Sequence, residues 1–91
     1  MSSARARVIF SGQVQGVGFR YTSRSVARGF DVTGTVRNLS DGTVELEAQG
    51  DRTEVESFLD GLKSEMSHYI RSADVSWVEA HAGEFDFRIT F

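Results

Sequence analysis

The stretch GQVQGVGFR, residues 12 to 20, places three glycines in front of a single arginine. Glycines allow consecutive backbone N–H groups to converge around a concave nest, and such nests bind phosphate or carboxylate groups. The guanidinium of Arg20 adds a planar fork of donors that can hold two oxygens of one anion. The stretch therefore indicates an anion site. A tight chain reversal followed by a solvated arginine is the alternative interpretation.

Asn38 lies in a second stretch, GTVRNLSDGTVELEAQG, residues 34 to 50. Its side-chain amide offers a donor and an acceptor, so it could orient a water molecule or hold an oxyanion if its strand lies beside the loop. Asparagine before a hairpin is also a common turn residue, and both interpretations stay open. Two better-known phosphate motifs do not fit, because Gly16 and Gly18 lack a third glycine at the dinucleotide-binding spacing and no Gly-Lys-Ser/Thr sequence occurs.

The other reactive side chains form no recognisable catalytic or metal-binding group. His68 and His81 do not have the spacing of a metal motif, and the chain contains no cysteine. Ser23 has no evident partner base, which argues against a serine nucleophile. We therefore assign both histidines a surface or structural role and expect neither a metal nor a cofactor.

Hydrophobic periodicity predicts the elements that must position these residues. The predicted strands are 6–14, 31–38, 43–49, 73–80 and 85–91. Helical spacing predicts helices over 19–28 and 51–66, and Asp51 with Glu54 resembles a capping box. In the last strand, alternation predicts one apolar face of Phe85, Phe87, Ile89 and Phe91.

The order of these elements predicts the fold class and the place of the glycine stretch. The order β-α-β-β-α-β with an added C-terminal strand is typical of a ferredoxin-like α+β sandwich, with two helices on one face of a mostly antiparallel sheet. The glycine stretch then joins the first strand to the first helix. A helix start leaves N–H groups without partners and carries the positive end of the helix dipole, which favours an anion there.

Length and charge limit the class of protein. Ninety-one residues that are 40% hydrophobic predict one domain, residues 1–91, and the lack of cysteine excludes a disulfide-supported fold. The net charge of −3 disfavours nucleic acid and anionic membranes as partners. Because neither a leader segment nor a long apolar run is visible, we expect a cytoplasmic protein with no membrane partner. We also expect a monomer.

Both stretches resemble the signatures of the acylphosphatase family. The first family signature has the form G-x-V-Q-G-V-x-F-R and matches residues 12 to 20. The second signature matches residues 34 to 50, except that Thr35 replaces the usual aromatic residue. The resemblance extends from about Arg5 to Phe91, although the last third carries little motif.

The resemblance implies metal-independent hydrolysis of the carboxyl-phosphate bond of small acyl phosphates. It implies catalytic roles for Arg20, which would grip the phosphoryl oxygens, and for Asn38, which would position the attacking water. The residues that it implies for substrate binding are Gln15, Gly16, Val17, Gly18, Phe19 and Arg20. A non-hydrolytic anion-binding module of the same family is the alternative, and a nucleic-acid-binding sheet is disfavoured by the acidic charge.

Overall fold

The computed structural model describes residues 3–91. It contains strands β1 (Ala4–Gly12), β2 (Thr33–Asn38), β3 (Val44–Gly50), β4 (Ile70–Val78) and β5 (Phe87–Ile89), and helices α1 (Phe19–Ala27) and α2 (Arg52–Glu65). The strands form one sheet in the order β4-β1-β3-β2-β5. Neighbouring strands are antiparallel except for β2 and β5, which are parallel. The predicted ferredoxin-like α+β sandwich is therefore confirmed.

The core lies between the helices and one face of the sheet. Alternation along β1 and β3 buries every second side chain, and Val8 lies opposite Leu46 in the register of these two strands. The predicted apolar stripe of α2 closes this core. Its members, all buried, are Val55, Phe58, Leu59, Leu62 and Met66.

The capping box predicted for α2 does not form. Asp51 occupies the N-cap position but makes no side-chain capping hydrogen bond. Glu54 instead accepts a hydrogen bond from the backbone N–H of Asp31, at 2.9 Å. The Glu54 carboxylate still interacts favourably with the positive end of the helix. Its hydrogen bond, however, goes to the chain segment before β2 and not to the backbone of the N-cap residue.

The fourth strand begins earlier than predicted, at Ile70 rather than at residue 73. The register between β1 and β4 shifts at Ser11 and Gly12, where a bulge bends the end of β1. Gly12 has φ +123°, and a Cβ there would lie 2.7 Å from the backbone nitrogen of Arg71. Only glycine fits this close approach, which directs the chain out of the sheet and into the loop before α1.

The last strand is shorter than predicted. The prediction that its four apolar side chains share one face against the core is wrong for the first and the last of them, Phe85 and Phe91. Phe87 and Ile89 pack against the core, and the Phe87 ring meets Phe58 at 5.5 Å between centroids. Phe85 and Phe91 are 90% and 98% exposed. Only three residues of β5 pair with β2, so both flanking rings lie outside the paired segment.

The face of the sheet that lacks helices carries a buried ion cluster. Arg5 is only 2% exposed and donates to Glu47 at 2.6 Å and to Glu84 at 2.9 Å. Burial opposes ionisation of Glu84, but its hydrogen bonds and ion pair with Arg5 outweigh that effect and lower its pKa. The cluster fixes the segment that leads into β5 against the sheet.

No helix within residues 3–91 is long and apolar enough to cross a membrane.

Candidate active site

The loop between β1 and α1 has the backbone geometry that its glycines predict. Gly16 and Gly18 have φ of +77° and +78°, in the left-handed region that other residues rarely adopt. A Cβ at either position would meet nothing within 4 Å. The glycines are therefore needed for the direction of the backbone, not for space, and both lie exposed on the surface.

A continuous run of backbone N–H groups in this loop has no acceptor within residues 3–91. Gln13 N–H donates to the carbonyl of Tyr69 at 2.9 Å, and Thr22 N–H donates to the carbonyl of Gly18 at 2.9 Å. Between them, from Val14 to Tyr21, no N–H donates to another described backbone or side-chain atom. Unpaired amides cost free energy unless water or a ligand accepts from them, so this run is a candidate anion site.

The start of α1 increases the positive potential at the loop. Gly18 is the N-cap residue and has no side chain to accept from the first turn. The first turn contains no acidic residue. Arg20 stands there instead, where its charge opposes the helix dipole. An anion bound at this end would offset both the dipole and the guanidinium.

Arg20 is half-buried and has its N–H groups available for a ligand. Its guanidinium forms neither an ion pair nor a hydrogen bond with another residue in 3–91. Its neighbour is the ring of Phe91, with the guanidinium carbon 5.6 Å from the ring centroid. This distance is within the range of a cation–π interaction.

The side chain of Gln15 connects the loop to the β2–β3 hairpin. Its amide nitrogen donates to the carbonyl of Leu39 at 2.8 Å and to the carbonyl of Thr43 at 2.9 Å. The side chain therefore holds the loop beside the residue that follows Asn38. The sequence assigned Gln15 to substrate binding and did not reveal this contact, which joins residues 24 and 28 positions apart.

Asn38 ends β2 at the same edge of the molecule. It pairs with Val44, is half-buried, and its amide makes no hydrogen bond with another residue in 3–91. In the parallel register of β2 and β5, Val36 lies opposite Ile89, and Thr90 N–H donates to the carbonyl of Val36 at 2.9 Å. Two residues further along each strand, Asn38 and Phe91 reach the same end of the sheet. Gln15 thus brings the loop to the residue after Asn38, and Arg20 lies near Phe91, which follows β5 at the same end of the sheet.

Two of the predicted binding residues point their side chains toward the core. Phe19 is 2% exposed and its ring lies 4.9 Å from that of Phe10, while Val17 is half-buried against the core. Only their backbone N–H groups can face a ligand. Ser23 is buried, and its hydroxyl donates to the carbonyl of Phe19 at 2.8 Å, so the hydroxyl is satisfied within the helix.

The turn of the β2–β3 hairpin, beyond Asn38, is stabilised by the carboxylate of Asp41. Asp41 accepts from the N–H of Thr43 at 3.0 Å and from its hydroxyl at 2.6 Å. The hydroxyl hydrogen bond is the main reason that the pKa of Asp41 is lowered. Because Gln15 donates to the Thr43 carbonyl, this turn and the loop form one connected structure.

A surface cavity lies elsewhere in the structure. It has a volume of about 430 Å³ and lies between α2 and β4, against Leu59, Val75 and Trp77. The candidate site is instead built from backbone amides of an exposed loop. Among residues 3–91, no group of three or more histidine, cysteine or acidic side chains could hold a metal ion.

The fold and the loop define a class of protein, an α+β sandwich with a candidate anion-binding loop at one end of its sheet. The model of the acylphosphatase family matches residues 6–89. An acylphosphatase from Roseiflexus sp. (strain RS-1) is 42% identical over 90 residues, covering 98% of this chain and 97% of its own. The chain therefore belongs to the acylphosphatase family.

Solved structures agree with this assignment. The crystal structure of acylphosphatase from Bacillus subtilis superposes with a TM-score of 0.86 at 30% identity, covering 97% of this chain and 99% of its own. The structure of an acylphosphatase from Coxiella burnetii gives a TM-score of 0.72 at 35% identity, covering 97% and 93%. The family and the fold predicted from the two signatures are confirmed.

Proposed function

We propose that this protein hydrolyses acyl phosphates to a carboxylate and inorganic phosphate, without a metal or another cofactor. The observation that carries the proposal is the run of unpaired N–H groups from Val14 to Tyr21 beside the free guanidinium of Arg20. Membership of the acylphosphatase family supports the same reaction.

The loop and Arg20 would hold the phosphoryl group. Backbone N–H groups of residues 15 to 19 donate to its oxygens, and Arg20 binds two of them through its planar fork. The transition state of phosphoryl transfer is loose, with charge spread over three equatorial oxygens. Donors fixed in position before the reaction stabilise that charge without reorganisation.

Asn38 would orient the attacking water. The water oxygen forms a bond to phosphorus while the bond from phosphorus to the carboxyl oxygen breaks, and the carboxylate leaves with the electron pair. One water proton passes to a phosphoryl oxygen of the substrate. Because a carboxylate is a weakly basic leaving group, general-acid assistance contributes little, which agrees with a site that contains no histidine or carboxylate among its predicted residues.

The remaining properties follow from charge and composition. We infer one acylphosphatase-like domain over residues 1–91, monomeric and cytoplasmic, acting on a small molecule rather than on nucleic acid or a membrane. The net charge of −3 supports the choice of a small substrate, because an anion must then be attracted by a local positive site rather than by the whole surface. No observation favours the non-hydrolytic module, since relatives of nearly equal length are acylphosphatases.

The proposal is tested by phosphate release from acetyl phosphate in the presence of a chelator, with a phosphomonoester as the control. We expect turnover of acetyl phosphate and none of the monoester. Equal turnover of both would show a general phosphatase. Binding of phosphate without turnover of acetyl phosphate would establish the non-hydrolytic module instead.

A further inference from the structure

The chain contains one lysine, Lys63, among its ten lysine and arginine residues, and it contains no cysteine. Amines and thiolates are the side chains that form stable acyl adducts, whereas a guanidinium stays protonated and delocalised and does not react. Hydroxyl groups need activation by a base, and an acylated imidazole hydrolyses again in water. Lys63 is therefore the one side chain of this sequence with the chemistry of a stable acyl acceptor.

Lys63 lies in the last turn of α2 and lines the cavity of about 430 Å³ between α2 and β4. Its side chain is half-buried and forms no ion pair with an acidic residue in the described part of the chain. The apolar wall of the cavity consists of Leu59, Val75 and Trp77. An acyl group attached to the Lys63 amine would thus lie against apolar side chains rather than in water.

The cavity and the candidate site lie at opposite edges of the sheet. β4 is one edge strand and β5 is the other, with three strands between them. The cavity is bounded by β4, whereas Arg20 lies near Phe91, which follows β5. At the usual spacing of neighbouring strands, four steps across the sheet separate the two edges by about 19 Å. A short acyl group on Lys63 therefore does not reach Arg20.

Arg20 occupies a position at which a lysine would supply the same charge, and lysine binds phosphate in many proteins. In an acyl phosphate, however, a single oxygen joins the carbonyl carbon to phosphorus. An amine that touches the phosphoryl oxygens then lies close enough to attack the carbonyl carbon. Such an amine would be acylated by the substrate and would lose its charge, whereas a guanidinium binds the same oxygens without this reaction.

We propose that Lys63, in the cavity between α2 and β4, is the side chain at which acyl phosphates acylate this protein, and that the candidate site escapes acylation because Arg20 stands where a lysine would react. The part that concerns Arg20 rests on the proposed function, whereas acylation of Lys63 requires only the acyl phosphate.

The two reactions break different bonds of the same molecule. In acylation, the Nζ lone pair of Lys63 forms a bond to the carbonyl carbon while the bond from that carbon to the bridging oxygen breaks. Inorganic phosphate leaves with the electron pair, and the amine proton passes to water. Hydrolysis at the candidate site instead breaks the bond from phosphorus to the bridging oxygen.

The lining of the cavity favours acyl phosphates with an apolar acyl group. The carboxylates of Glu56 and Asp60 complete the lining and repel a phosphate group, so the acyl end faces the apolar wall. Benzoyl phosphate should therefore react at Lys63 faster, relative to acetyl phosphate, than at a lysine in water.

The test follows both reagents, kept in excess, by intact mass and peptide mapping in the wild type, K63R and K63R/S64K. Ser64 is exposed on the same helix and does not line the cavity, so S64K supplies a matched reference amine. We expect adducts at Lys63 in the wild type and no side-chain adduct in K63R. The ratio of benzoylation to acetylation should be about three- to tenfold higher at Lys63 than at position 64.

Two further readouts locate the modification. Trp77 is the only tryptophan of the sequence, so its fluorescence should change when Lys63 is acylated and not when position 64 is. The kcat/KM of the acylated wild type for acetyl phosphate should equal that of the unmodified protein. No adduct at Lys63 while position 64 reacts would overturn the proposal. Equal benzoyl-to-acetyl ratios at the two positions, or a fall in kcat/KM in step with acylation of Lys63, would overturn it as well.

The variant R20K separates this inference from the proposed function. We expect its activity to decline with time in acetyl phosphate as an adduct appears at position 20, and inorganic phosphate should protect position 20 but not Lys63. An R20K protein that is inhibited by phosphate and stays unmodified at position 20 would overturn the reason given for Arg20. If the wild type hydrolyses no acetyl phosphate while Lys63 is acylated, the proposed function fails and the assignment of Lys63 stands.

Discussion

In the proposed mechanism, Arg20 makes the largest single contribution to binding the phosphoryl group. We predict that Arg20→Ala lowers kcat/KM for acetyl phosphate about a thousandfold, because it removes a bidentate charged donor from the transition state. Arg24→Ala is the matched control, since Arg24 stands on the same helix with its guanidinium over a ring, that of Tyr21, at 5.4 Å. A loss of less than tenfold in a folded R20A protein would refute the role of Arg20.

In the proposed mechanism, Asn38 contributes by orienting the attacking water molecule. We predict that Asn38→Ala lowers kcat about a hundredfold, by analogy with the loss of one oxyanion donor, and leaves the inhibition constant of phosphate nearly unchanged. Ser40→Ala, at an exposed position in the same hairpin, serves as the control. Unchanged turnover at saturating substrate would show that Asn38 is a turn residue only.

The side chain of Gln15 connects the loop to the β2–β3 hairpin. Replacing it with leucine removes the side-chain donor to the carbonyls of Leu39 and Thr43, which keep only their backbone donors within the hairpin. We therefore predict a loss of about 1–2 kcal/mol in the free energy of unfolding, together with lower kcat/KM. Gln13→Leu tests the same change at an exposed position of this loop, where it should have little effect on either quantity. Urea denaturation of both variants measures the difference. Equal stability of the two would contradict the role of Gln15 as a connection to the hairpin.

At the scale of the elements, the glycine loop depends on backbone conformation. Gly18 has φ +78° and ψ +19°. An L-alanine there is strained by about 1–2 kcal/mol, and we predict that Gly18→Ala lowers both stability and kcat/KM. Gly83 has φ +80° and equally open surroundings, so Gly83→Ala should lose stability by a similar amount and keep its activity.

A D-alanine at position 18, introduced by chemical synthesis, separates strain from lost space. It prefers the positive φ that the loop requires, and its Cβ occupies the other side of the backbone. We expect it to restore much of the lost stability and activity. A D-alanine protein as impaired as Gly18→Ala would contradict the account of the loop.

Several elements could be predicted from the sequence because their signals are local. Alternation in β3, the apolar stripe of α2 and the glycines before α1 each specify a conformation through near neighbours, and all three are observed. The early start of β4 could not be predicted, because it depends on the bulge at Gly12 in another strand. The exposure of Phe85 and Phe91 was also missed, since alternation reports which face a side chain takes and not whether anything covers it.

In the candidate site, too, local features could be predicted from the sequence and long-range contacts could not. Its loop and Arg20 follow from residue types, whereas the contacts that join the loop to Asn38 are long-range. Gln15 reaches the hairpin carbonyls and Phe91 reaches Arg20 only after the sheet has formed. Glutamine and phenylalanine carry no local signal for such partners, so only the tertiary structure could reveal them.

For the molecule as a whole, the buried ion cluster of Arg5, Glu47 and Glu84 makes the stability of the fold depend on pH. Because the folded protein lowers the pKa of Glu84 below its ordinary value of 4.5, ionised Glu84 stabilises the fold above that pH. This stabilisation is lost as the pH falls from about 4.5 through the lowered pKa of the folded state. We predict that the thermal midpoint falls over this range, and falls less in Glu84→Gln.

Glu79→Gln is the control, because Glu79 is exposed and forms no ion pair within residues 3–91. It should follow the wild-type pH profile. A Glu84→Gln profile as steep as that of the wild type would show that other carboxylates dominate acid unfolding.

The central claim is that the loop amides and Arg20 receive the oxygens of a phosphoryl group. A crystal structure with orthovanadate bound tests it most directly. We predict vanadate oxygens about 2.7–3.1 Å from backbone nitrogens between Val14 and Tyr21 and from the Arg20 guanidinium, with the Asn38 amide facing the apical oxygen. Vanadate bound elsewhere, with these amides hydrogen-bonded to water and Arg20 directed away, would contradict the account.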